Sequence, residues 1–228
     1  MPIVDLATAA ENEKFHLLAG FLAGYAAILA TPGPNMLAVG TFAALRGVRG
    51  AAPLCIGAAL GAGTLGAALL TTVGAAAGKA PAWQAYGRVA GVVLLLYVAV
   101  SIVRPRPPHT MEGAAEPSEQ AGGGACGVAV FGVGFCTAAT NPLTGAFFAA
   151  QFLGPLGGAV YGSAAMAAIT LIGIVATALI FFLGVTTVLA LPAARRAAVA
   201  WHRPIQLAAA AMLVLMAAIT LWPLLAIG

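Results

Sequence analysis

Charge is what this sequence has least of. Asp, Glu, Lys and Arg make up 7% of its 228 residues, and only six of them are acidic. Soluble domains carry roughly a quarter charged residues, so a soluble globular domain of ordinary composition is excluded. The net charge of +4 comes from too few residues to make a nucleic-acid surface, and no nucleic-acid partner is expected. Cysteine is almost absent as well. Cys55, Cys126 and Cys136 show no CxxC spacing and lie in or beside apolar runs, as small packing residues do. There is no nucleotide-binding loop, metal-ligand cluster or nucleophile–base pair. The sequence therefore predicts no enzyme, no cofactor and no metal site. What it has in abundance is apolar surface: 62% of residues are hydrophobic and the mean hydropathy is +1.02, the composition of an integral membrane protein.

The few charges divide the chain. None falls between Lys14 and Arg46, between Arg49 and Lys79, between Glu119 and Arg195, or after Arg203. Met1 to Lys14 holds Asp5, Glu11 and Glu13 but one lysine, the wrong charge for a signal-peptide start, so it reads as an N-terminal tail (1–14) before a retained first span. About 20 residues cross a bilayer, and the expected spans are 15–45, 50–78, 83–103, 127–153, 159–191 and 204–227. "RPRPPHTMEGAAEPSEQAGGG" within 104–126 collects half the acids with prolines and glycines and reads as a linker between two three-helix halves, 15–103 and 127–228. The expected fold is all-α and multi-pass, with six transmembrane helices. Seven cations, Arg46, Arg49, Arg104, Arg106, Arg195, Arg196 and Arg203, fall on one side of it, against Lys14, Lys79 and Arg88 on the other. The positive-inside bias places the seven, and the linker, in the cytoplasm.

The first span is too long. Thirty-one residues at about 1.5 Å each give a rod of about 46 Å, against a hydrocarbon core of about 30 Å. Its centre carries "ATPGPNMLAVGTF", and the fourth span carries "ATNPLTGAFF". Each motif has Ala-Thr, proline and asparagine in the first helix of its half. Halves with an odd number of spans insert upside down relative to one another. Paired Pro/Gly interruptions in corresponding helices of such halves mark a transporter's binding site. Pro32, Pro34 and Pro142 lack an N–H and would free the carbonyls of Ile28, Ala30 and Ala138. Asn35 and Asn141 add amides, and Thr31, Thr140 and Thr144 add hydroxyls. With Gly33, these nine positions are the candidate substrate-binding residues. The half-helix N-termini after the breaks suit a carboxylate, so the set could hold a zwitterion with no formal protein charge.

"TPGPNMLAV", "RGVRGAAPLCIGAALG" and "NPLTGAFFAAQF" resemble, in order, the first-helix, second-helix and fourth-helix motifs of the lysine exporter (LysE/RhtB) family of amino-acid efflux permeases. The resemblance covers most of the chain. It implies a bacterial inner-membrane exporter of amino acids or related metabolites, driven by the proton gradient, with Pro32, Gly33, Pro34, Asn35, Asn141 and Pro142 at the family positions. This sequence departs from many relatives in having no acid in those helices. All six carboxylates lie in the tail or the linker, so no membrane carboxylate is available to carry a proton. The expected partners are a small-molecule substrate and the lipid bilayer, with a homo-oligomer left open. The alternatives are a membrane thiol-redox protein and a non-transporting scaffold. GxxxG spacings such as Gly20/Gly24, Gly57/Gly61, Gly74/Gly78, Gly87/Gly91 and Gly158/Gly162 permit close helix contact, Gly57/Gly61 foremost.

Overall fold

The structure is a computed structural model that describes residues 3–31, 34–77, 81–104, 123–189 and 191–225, some of them by backbone alone. Among these residues there are helices and short connections and no strand. The elements are α1 (Ile3–Leu29), α2 (Pro34–Ala77), α3 (Pro81–Val103), α4 (Gly123–Ala139), α5 (Pro142–Leu153), α6 (Gly157–Tyr161), α7 (Ala164–Leu189) and α8 (Pro192–Leu225). Proline opens α2, α3, α5 and α8. The first position of a helix needs no N–H, and the fixed φ of proline suits it. Four of the described prolines thus start helices.

Both long first spans of the expected halves are broken. The first runs from α1 through residues 30–33 into α2; the fourth runs from α4 through residues 140–141 into α5. Within α2 a second break falls at Gly47, with φ 66° and ψ −173°. It lies between Arg46 and Arg49, where the charges separate the first two expected spans. That backbone region is open only to glycine, and a Cβ there would meet nothing within 4 Å. Gly47→Ala should therefore lose about 1–3 kcal/mol from backbone strain alone. A denaturation midpoint measured in detergent checks this.

Helix ends differ from span ends. The expected tail is helical from Ile3, as its Ala-, Leu- and Glu-rich sequence favours. α4 begins at Gly123 rather than 127, and α7 at Ala164 rather than 159, with α6 filling the interval after the Gly154–Leu156 turn. α8 starts twelve residues before Pro204, so Arg195, Arg196 and Arg203 ride on helix and not on a loop. The linker residues 105–122 lie outside the described residues.

Two helices are long and apolar enough to cross a membrane, Arg46–Gly74 within α2 and Ala164–Leu189. Shorter apolar helical stretches cover Val89–Val100, Gly127–Ala139, Pro142–Leu153 and Gln206–Trp222. The second limb of α2 packs on α4 and α7, α3 packs on α8 and α5, and α1 lies against α7, α8 and α5. The core centres on an aromatic stack between α1 and α5: Phe21, Tyr25, Phe147, Phe148 and Phe152, all buried. Outward faces are apolar too, with Ile172 and Ile180 on α7, Val93 and Tyr97 on α3, and Leu215 and Ile219 on α8 exposed. Such surface suits lipid and not water.

Candidate functional site

At the second interruption the backbone leaves α4 and restarts at Pro142. Thr140 donates both its N–H and its hydroxyl to the Cys136 carbonyl, at 3.0 and 2.7 Å. The Asn141 N–H donates to the Ala138 carbonyl at 3.3 Å, so the carbonyl that Pro142 deprives is partnered again. Asn141 sits in extended backbone as the N-cap of α5. Its Oδ1 accepts from the N–H of Leu143 at 3.0 Å and of Thr144 at 3.4 Å. With Pro142 lacking a donor, the first turn of α5 is closed by its own cap. The sequence suggested that this N-terminus faces a ligand's carboxylate; in the structure the Asn141 side chain occupies it. The Asn141 Nδ2 group takes no part in that cap. Thr144 is buried just behind it, at 2% exposure.

The first interruption is built on similar lines. Ala30 completes the last turn of α1 by donating to Ala26 at 3.0 Å. Thr31 is buried, and donates its N–H and hydroxyl to the Ile28 carbonyl at 3.0 and 2.6 Å. Here too the carbonyl expected to be free is taken, and by the residue that precedes the proline, as at Asn141. Pro32 and Gly33 lie outside the described residues, and Pro34 is described only as the first residue of α2. Asn35 follows it. Its Oδ1 is buried and has no hydrogen-bond partner. The two interruptions thus end differently: one asparagine is used by its own helix, the other presents an unsatisfied acceptor.

α5 ties the two together. It stacks on α1 through the aromatic cluster, and its Gly145 faces Leu65 of α2. Both helices that flank the first break therefore touch the helix that follows the second. Beside them the structure reveals two polar groups that sequence reasoning passed over, Tyr25 on α1 and Gln151 on α5. The Tyr25 hydroxyl and Gln151 Nε2 are buried without partners. A signal existed in the sequence, since Gln151 is the single amide between Asn141 and Gln206.

Elsewhere the molecule offers less. Cys55 is buried and Cys136 exposed, both as free thiols, and the side chain of Cys126 is outside the described set. No cluster of metal-ligating side chains occurs among the described residues. A crevice of about 430 Å³ between α3 and α8 is lined by Ala99, Val100, Val103, Ala210 and Val214 with Arg104. It is apolar, and it involves neither interruption.

Searches of curated proteins and of solved structures return no match. The family model of the LysE type translocator matches residues 26–222, from within α1 to within α8, and so takes in both interruptions and the α5 side of the aromatic stack that joins them. The chain belongs to the LysE type translocator family and is a membrane transport protein.

Proposed function

We propose that this protein exports small, net-neutral amino-acid-like solutes across a bacterial inner membrane, by alternating access about its two interrupted helices. The observation that carries the reading is the pair of proline-started breaks, joined through α5, with the Asn35 acceptor buried and unsatisfied at one of them. Unwound backbone inside a bilayer must lie against protein or a water-filled path, and transporters place their substrates there.

In this reading the chain makes six passes. They are α1 with the first limb of α2, the second limb of α2, α3, α4 with α5, α7, and α8. The pattern of helix pairing supports two inverted halves. Exchanging the halves turns the α2·α4 pairing into α7·α1 and the α3·α5 pairing into α8·α1, while α2·α7 and α3·α8 map onto themselves; all six pairings occur. The seven-cation side, with the linker, lies in the cytoplasm.

The charge of the substrate follows from energetics. No acid lies between Glu13 and Glu112 or after Glu119, so past Glu13 in α1 the described helices hold no carboxylate to balance a cation or carry a proton. Moving one positive charge out against about 100 mV, negative inside, costs about 2.3 kcal/mol. A zwitterion crosses without that cost. Efflux of labelled amino acids from cells overproducing the protein tests the proposal. Neutral amino acids should leave faster than from control cells, and faster than lysine or arginine. Export of lysine or arginine in preference, or of no amino acid at all, overturns it.

A further inference from the structure

Buried hydroxyls in this fold are as a rule satisfied. Thr170, Thr186 and Thr220 each donate to a carbonyl three or four residues back in their own helix, at 2.7, 2.7 and 2.8 Å. Against that background three donors stand apart, Tyr25 and Gln151 and, on α6, Tyr161. Tyr25 is fully buried and Gln151 is 2% exposed, yet the phenol hydroxyl and the amide nitrogen bond to nothing. In a bilayer no bulk water compensates, so each group carries its full desolvation penalty.

Tyr25 and Gln151 lie on the two helices that meet in the aromatic stack. The Tyr25 ring lies 5.0 Å from Phe148, and Phe21 bridges Phe147, Phe148 and Phe152 at 5.6, 5.6 and 5.9 Å. On α5, Gln151 follows Phe148 by three residues and Phe147 by four, which puts all three on one helix face. A helix with an interrupted span stands on each side of the stack: α1 runs into the first break, and α5 runs out of the second. A pair of neutral donors in an aromatic surround, with no protein anion near them in sequence, is matched chemically by an oxyanion.

We infer that Tyr25 Oη and Gln151 Nε2 take the carboxylate of the transported solute when the α1–α5 stack parts. The inference rests on the transporter reading above. It adds a binding determinant five residues before the first break and nine after the start of α5, complementary to the Asn35 acceptor, which suits an ammonium.

The test uses the full chain in liposomes loaded with a labelled mixture of neutral L-amino acids. For each amino acid the unaltered protein releases, KM should rise about tenfold in Tyr25→Phe and in Gln151→Met, as loss of one charge-assisted hydrogen bond predicts. The carboxamide of the same amino acid should show the raised KM with the unaltered protein and no further rise with either variant. Thermal midpoints of the ligand-free variants should equal or exceed that of the parent, because an unpaired buried donor has been removed. A KM unchanged in both variants overturns the inference. So does a lowered midpoint or failure to accumulate, either of which assigns the groups a structural partner such as a bridging water. Release of none of the mixture by the unaltered protein is a different result: it overturns the transporter reading and this inference with it.

Discussion

Asn35→Ala should cut efflux roughly ten- to a hundredfold while the protein still inserts and stays monodisperse in detergent. The Asn35 Oδ1 is buried and makes no hydrogen bond, so alanine removes nothing that holds the fold together. A ligand ammonium at that oxygen would make a charge-assisted bond worth about 1.5–3 kcal/mol, which is about ten- to a hundredfold in affinity. Asn141 needs a different substitution, because it serves two ends. Its Oδ1 caps α5 through Leu143 and Thr144. Alanine would therefore cost about 1 kcal/mol of stability and confuse the readout. Serine keeps a capping oxygen and loses the amide nitrogen. Asn141→Ser should hold the parent's thermal midpoint and still transport poorly; Asn141→Ala should lose both. Thr71→Ala is the control, since the Thr71 hydroxyl is exposed and bonded to the Ala67 and Ala68 carbonyls. Normal export by both Asn35→Ala and Asn141→Ser would make the interruptions mere kinks.

The contrast between the two asparagines shows how far the sequence could be read. Proline announces both breaks because it lacks an N–H, and that property does not depend on what surrounds it. The restart at Pro142 could be read for the same reason. The capping role of Asn141 was also legible, as asparagine directly before a proline-started helix is a strong N-cap signal. The same asparagine amide offers an oxygen to the helix and a nitrogen to a ligand, and the sequence alone does not divide the two uses. Tyr25 and Gln151 are another matter. Whether a polar group in an apolar run finds a partner is decided by the helix opposite, and no pattern along the chain reports it. The helices begin at Ile3 and Pro192, outside the expected spans, because charge marks where a chain leaves lipid, not where its helix stops.

The largest loss of stability should come from side chains added where α2 crosses α4. A Cβ on Gly57 or Gly61 would fall on the backbone carbonyl oxygens of Phe131 and Phe135, and one on Gly134 on that of Leu54. The obstacle in each case is backbone, which cannot step aside as a flexible side chain does. Lipid supplies no hydrophobic force between helices, so close backbone contact is what holds such a crossing. Overpacking a tight contact costs about 1–3 kcal/mol for small additions. Gly61→Ala should fall in that range, and Gly61→Val and Gly134→Val beyond it, to the point of failed assembly. Gly132 provides the control. It lies two residues from Gly134 on the same helix, and a Cβ there meets nothing within 4 Å. Gly132→Ala should be neutral or gain up to about 1 kcal/mol in helix propensity. The consequence for transport follows from the order of elements, since α4 leads directly into Thr140 and Asn141. Driving α4 away from α2 displaces the cap of α5 and the break behind it, so efflux should fall together with the denaturation midpoint in the Gly61 and Gly134 series. Midpoints for Gly61→Val and Gly134→Val equal to that of Gly132→Ala would mean that the two backbones do not meet, and that the glycines at this crossing are incidental.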